Sequence, residues 1–135
     1  MDFAQLRRML RGKLLENEPM TNHTWYGIGG PATAYIEPKT IKDLQLIKSF
    51  AYGNRIDMYC IGSGSNLLVA DTGIDGIVIN LEKYFKRSLF NYNKCYAEAG
   101  IKLSKLIKEC IKRGLGGVEE LMGIPGTLGG ALVMN

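Results

Sequence analysis

A mostly apolar stretch, Arg55 to Ile61, runs without a break into Gly62-Ser63-Gly64-Ser65-Asn66. The stretch reads as a strand. Glycines after a strand let the backbone approach a ligand closely and adopt positive φ, so that consecutive N–H groups converge on an anion. The serine hydroxyls and the Asn66 amide add donors suited to a diphosphate. Two familiar phosphate-binding patterns are excluded. No third glycine opens a helix, as the dinucleotide fingerprint requires, and no Gly-Lys-Ser/Thr follows. Leu67-Leu68-Val69 reads as a short strand instead. On these residues alone, a plain tight turn and a phosphate cradle fit equally well.

The surrounding pattern gives that junction a context. Phe3, Leu6, Leu10 and Leu14 recur at helical spacing, which predicts an amphipathic first helix capped by Asp2 and ended at Glu18-Pro19. Met20 to Pro31 is loop-like. Thr33 to Glu37 reads as a strand closed by Pro38. Thr40 with Asp43 predicts a capping box, Ile41, Leu44, Ile47 and Ala51 mark a helix face, and Gly53 ends it. Strand, helix and strand at this length favour parallel pairing through a crossover. Ile77 to Leu81 reads as a further strand, and Leu89–Tyr92 with Cys95–Ala99 as a hairpin around Asn93. Leu103, Leu106, Ile107, Cys110 and Ile111 define the clearest helix, with Gly114 at its exit. A change of subdomain falls at Lys83 to Arg87, giving 1–18 as an amino-terminal helix, 19–84 as a first subdomain and 85–135 as the start of a second.

Beyond that helix the chain is glycine-dense, with seven of its 17 glycines between Gly114 and Gly130. Within this part, Gly123-Ile124-Pro125-Gly126-Thr127-Leu128-Gly129-Gly130-Ala131 is the second candidate site. Pro125 fixes φ, and Gly126 permits a sharp turn. Gly129-Gly130 leave so little bulk that the segment can lie beside a large planar group. A close-packed connection between two helices explains the same residues.

Other chemistries find little support. His23 is the only histidine, and its place in a loop suits a structural role. Glu119-Glu120 are neighbours in sequence only. Trp25 and Tyr26 beside the glycines could stack on a ring, or simply pack. No residues show metal-ligand spacing. Cys60, Cys95 and Cys110 are odd in number and far apart, which argues against a disulfide framework and points to buried free thiols. A net charge of +4 comes from lysines scattered along helices, without the basic–aromatic alternation of a nucleic-acid binder. No stretch has the length of a signal peptide or a membrane span, so the expected compartment is the cytoplasm.

Four stretches, in this order, resemble the UDP-N-acetylenolpyruvoylglucosamine reductase (MurB) family of peptidoglycan synthesis. They are Asn17 to Thr24 leading into Ile28-Gly29-Gly30-Pro31-Ala32; Ile61 to Val69; Gly114 to Glu119; and Gly123 to Ala131 ending at Met134-Asn135. The resemblance implies an α+β fold, the FAD-binding fold of the vanillyl-alcohol-oxidase (PCMH) type, with a first subdomain and an incomplete second one. It implies FAD as cofactor and NADPH as hydride donor, and a UDP-sugar substrate whose enolpyruvyl group is reduced. Gly62, Ser63, Gly64, Ser65 and Asn66 would hold the diphosphate, with Leu67 also among the cofactor-binding residues. Gly123, Ile124, Pro125, Gly126, Thr127, Gly129 and Ala131 would line the diphosphate, ribityl and flavin region. The loop from Asn22 to Gly30 would lie near the cofactor.

Two departures qualify the resemblance. Relatives often carry a basic residue shortly before Ile-Gly-Gly, where this chain has Tyr26-Gly27. The chain also stops where the family motif continues, before its Tyr-Arg motif, its proton-donating serine and its catalytic glutamate. The expectation is therefore no catalytic side chain in this chain, and a second polypeptide carrying the missing half as one possible partner. A stand-alone FAD- or nucleotide-binding module is the alternative reading.

Overall fold

The computed structural model describes residues 2–134. Its elements run α1 (Ala4–Met9), β1 (Lys13–Pro19), β2 (Pro31–Glu37), α2 (Ile41–Asn54), β3 (Met58–Ile61) and β4 (Ile74–Asn80), then β5 (Ser88–Asn91), β6 (Lys94–Ala97), α3 (Leu103–Lys112) and α4 (Leu128–Met134). Single 3-10 turns lie at Met20–Asn22 and Glu119–Leu121.

Four strands form one sheet in the order β1-β2-β4-β3, with β1 antiparallel to β2 and both β2 and β3 parallel to β4. The two strands of the strand–helix–strand unit are thus in one sheet, but β4 lies between them. Burial accounts for the order. The run Gly76-Ile77-Val78-Ile79 is buried on both faces, as an interior parallel strand must be, whereas Met58, Tyr59 and Cys60 are exposed, as suits an edge. One face of the sheet packs Leu14, Ala34, Ile36, Ile77 and Ile79 against Ile47 and Ala51 of α2, Leu6 of α1 and Phe3 just before it. The other face is covered by Met20 and Val69, which pack on Tyr35 and Val78.

The first helix is shorter than its apolar spacing predicts. It stops at Met9, and Lys13–Pro19 pairs with β2, Leu14 opposite Ile36. A helix continued to Leu14 would leave the outer edge of β2 unpaired, and the ladder prevails over the local pattern. Gly12 makes the approach possible, because a Cβ there would lie 2.1 Å from the Glu37 carbonyl oxygen. Asp2 does accept the Ala4 N–H, at 2.8 Å.

The capping box of α2 is present, with the Thr40 hydroxyl accepting from Asp43 N–H and the Asp43 carboxylate from Thr40 N–H. Asp43 also accepts from the N–H groups of Lys39 (2.7 Å) and Arg11 (3.1 Å). Burial alone would push its carboxyl up, but these backbone donors hold it below the usual aspartate range. The helix passes Gly53 and ends at Asn54, followed by Arg55 at φ 55°.

Leu67-Leu68-Val69 is not a strand. This stretch carries the chain from the end of β3 toward β4, with Leu67 and Val69 packed on a face of the sheet instead of paired along its edge. The hairpin β5–β6 and α3 appear where expected, with Ile101, Leu106 and Cys110 forming a small separate core beside Phe90 and Ala97. Cys110 is buried, but Cys60 and Cys95 are exposed. One lies on the sheet's edge strand and the other on a two-stranded ribbon backed by a single helix, and neither position encloses a side chain. Helix α4 was hidden in the sequence by Gly129-Gly130, which read as breakers.

Candidate functional site

Between the end of β3 and the start of α4 lies a cleft of about 350 Å³, within the range of small-molecule sites. One wall is Ile61 to Leu67, and the other is Ile124 to Thr127 with Gly130, Ala131 and Met134. The two segments, 60 residues apart in sequence, touch directly. Ser65 Oγ donates to the Pro125 carbonyl at 3.4 Å, and the Thr127 side chain occupies the space where a Gly62 Cβ would sit, its Oγ1 2.1 Å from that point.

Of the residues expected to hold a cofactor, Gly62, Ser63, Gly64, Ser65, Asn66, Leu67, Ile124, Pro125, Gly126, Thr127 and Ala131 line this cleft. Two do not. Gly123 lies just before the second wall, at φ 94°. Gly129 turns the other way and packs on Ala99, to whose carbonyl its N–H donates at 2.8 Å. Ile61, Gly130 and Met134 line the cleft without having been singled out. Thr127, Gly130, Ala131 and Met134 share one helix face, a signal legible only once α4 is known to be a helix.

The first wall is held from outside the cleft. Gly64 has φ 66°, and a Cβ there would fall 1.9 Å from the His23 carbonyl oxygen, while Trp25 N–H donates to the Gly64 carbonyl at 3.2 Å. The loop from Asn22 to Gly30 therefore backs the glycine turn. His23 anchors that loop by stacking on Tyr35, ring centroids 3.8 Å apart, and by pairing with Glu18 at 2.9 Å. That hydrogen bond keeps the Glu18 carboxyl below its usual range. Trp25 and Tyr26 are 66% and 65% exposed, so neither is packing in a core.

The cleft's polar inventory is specific. Among the described residues, the N–H groups of Ser63, Gly64, Ser65 and Asn66 donate to no protein acceptor. Ser63 Oγ is buried and has no hydrogen-bond partner among the described residues. A buried hydroxyl without a partner is costly unless a ligand satisfies it. No lysine or arginine lines the cleft, so attraction for an anion comes from amide dipoles and hydroxyls. The opposite wall offers Ile124, Pro125, Ala131 and Met134, apolar surface for a ring. These features fit a ligand with a diphosphate and a flat aromatic part. Among the described residues no group of acidic, histidine and cysteine side chains could hold a metal ion.

Residues 32–135 match the model of the FAD binding domain family. The chain belongs to that family. Its curated relatives include the UDP-N-acetylenolpyruvoylglucosamine reductases of Carboxydothermus hydrogenoformans, 42% identical across the whole chain, and of Alkaliphilus oremlandii, 46% identical over 90% of it. The chain spans 46% and 40% of the length of these relatives. Among solved structures it superposes on UDP-N-acetylenolpyruvylglucosamine reductase (MurB) from Thermus caldophilus with a TM-score of 0.70 and 31% identity, covering 92% of this chain and 42% of that one. Cholesterol oxidase from Brevibacterium sterolicum superposes with a TM-score of 0.69 at 17% identity, over 93% of this chain and 25% of that one, a likeness of fold alone. The expected α+β FAD-binding fold of the vanillyl-alcohol-oxidase type is the fold observed. FAD is the cofactor of the family. Among the described residues no helix is long and apolar enough to cross a membrane.

Proposed function

We propose that the chain is the FAD-binding part of a UDP-N-acetylenolpyruvoylglucosamine reductase. The complete enzyme would use NADPH to reduce the enolpyruvyl group of a UDP-sugar in the cytoplasm, as a step of peptidoglycan synthesis. The observation that carries this reading is the facing of two glycine segments across one cleft, with a partnerless Ser63 hydroxyl and four free amides on one side. Ser63 to Asn66 would hold the diphosphate, and Ile124 to Thr127 with Ala131 would flank the ribityl and ring portion. When bound, FAD supplies hydride-transfer chemistry, while this chain binds, orients and shields it. The division into 1–18, 19–84 and 85–135 belongs to the same proposal, as does a contribution from further sequence, in the same or a second polypeptide, to substrate binding and proton transfer.

Incubation of the purified chain with FAD, followed by gel filtration read in the visible range, tests the reading. Flavin absorbance should co-elute with the protein. A folded chain that elutes colourless would refute FAD binding by this cleft.

A further inference from the structure

Asn80, the last residue of β4, does not line the cleft, yet its side chain reaches the glycine turn. Its Nδ2 donates to the Gly62 carbonyl at 3.1 Å, and its Oδ1 accepts the Glu82 N–H at 2.8 Å. These partners fix which way round the amide sits. Reversed, it would set NH₂ against N–H at one end and oxygen against oxygen at the other.

The main-chain ladder between the two strands ends one step earlier, where Leu81 N–H donates to the Ile61 carbonyl at 3.3 Å. Gly62 has already left the sheet, and a glycine there has no side chain to restrict its rotation. The Asn80 amide supplies the next bond in the row, this time from a side chain. A trans peptide is planar, so its carbonyl and the following N–H point in opposite directions. Pinning the Gly62 carbonyl on the Asn80 side therefore sets the direction of Ser63 N–H. That group is one of the turn's amides that have no protein acceptor among the described residues. Thr127 closes the remaining freedom by packing against Gly62 from across the cleft.

We propose that Asn80 is a positioning residue for the cofactor's diphosphate: without touching it, Asn80 locks the Gly62–Ser63 peptide so that the Ser63 amide is already aimed. The inference rests on the FAD reading above and adds a residue outside the cleft. The energetic logic is preorganisation, since an amide fixed before binding loses no orientation when the anion arrives.

Two variants test it in the 135-residue chain. Asn80→Leu keeps roughly the volume and removes both bonds. Asn80→Asp keeps the shape but, when ionised, turns a negative oxygen toward the Gly62 carbonyl. FAD affinity is measured by quenching of flavin fluorescence, and the folded fraction by circular dichroism at the same temperature. Both variants should bind FAD about ten-fold more weakly at neutral pH while remaining folded, the scale of one hydrogen bond. Affinity of Asn80→Asp should recover as pH falls and its carboxyl, once protonated, donates again. His23, Tyr35, Glu37, Glu82, Lys83 and Lys86 share the polar cleft on Asn80's open side, so the unaltered chain is titrated over the same range to subtract their effect. Affinities within about two-fold of the unaltered chain, or a loss that merely follows the folded fraction, would overturn the proposal. If the unaltered chain binds no FAD, the FAD reading fails and this inference with it. If it binds FAD and the variants match it, this inference fails alone.

Discussion

The two walls of the cleft are both glycine-rich, but the fold takes up different shares of their amides. On the first wall, Ser63 to Asn66 leave their N–H groups without protein acceptors. On the second, Ile124 donates to Leu121, Gly130 to the Thr127 hydroxyl and Ala131 to the Thr127 carbonyl, while Gly126 and Thr127 N–H donate to no acceptor among the described residues. One wall is held by its carbonyls and by neighbours behind it, through Asn80 to Gly62 and Trp25 to Gly64. The other is tied to the segment leading into α3 by Leu128 and Gly129 N–H just behind it and by the Gly126 carbonyl, which accepts Leu103 N–H. Glycine content alone does not identify an anion site. What matters is which backbone groups are left over after the fold has taken its share.

The contrast is broken most severely at Gly64. Gly64→Ala puts a side chain at positive φ and drives it into the His23 carbonyl, against backbone that cannot swing aside. We expect a loss of about 3 kcal/mol or more in denaturant unfolding, together with loss of flavin retention. The same change at Gly123, where nothing lies within 4 Å, costs only the conformational strain. Equal effects at the two positions would erase the distinction between a turn that needs space and one that needs only its backbone angle.

A smaller effect lies away from both walls, at the start of α2. Asp43 is 1% exposed and ties Arg11, Lys39 and Thr40 N–H groups to the start of α2. Asp43→Ala should destabilise by about 2 kcal/mol by leaving those donors unpaired. Because its folded carboxyl is held below the usual range, its contribution is complete above that range and is lost as pH falls through the folded value. Thermal melts of the unaltered chain should therefore decline steeply in acid, and the Asp43→Ala chain should show a shallower decline. Parallel pH profiles would remove Asp43 from the account.

The smallest effect couples the walls. Gly62→Ala should be destabilising alone, and about 1 kcal/mol less so when Thr127→Ala has already vacated the space its Cβ enters. Strict additivity in that double-mutant cycle would mean that the walls do not lean on each other.

What was legible in the sequence divides along physical lines. The capping box at Thr40 and Asp43, the face of α3 and the hairpin around Asn93 are local devices, so their residues announced them. Both glycine segments were legible as candidates, because few other roles require that composition. The end of α1 was not, since Leu14 satisfies a helical period and an alternating one equally, and pairing with β2 decided between them. Nor was the place of β4 between β2 and β3. Asn80 escaped notice because one asparagine at a strand end carries no pattern, and its meaning comes from the strand next to it.

The strand order also dictates the sequence in which the cleft can be assembled. Until residues 74–80 are in place, β3 has no neighbour in the sheet, because its only partner is β4. The glycine turn is thus synthesised before the strand that pairs with β3 and the Asn80 side chain that bonds Gly62, with only the earlier loop at His23 and Trp25 available to back it. Its opposite wall arrives about fifty residues later still. Non-local closure of this kind slows folding and leaves an apolar edge open in the meantime. For this domain the ligand cleft is the last part of the architecture to become real, and a nascent chain stalled before Ile74 would present β3 as an unpaired, association-prone edge.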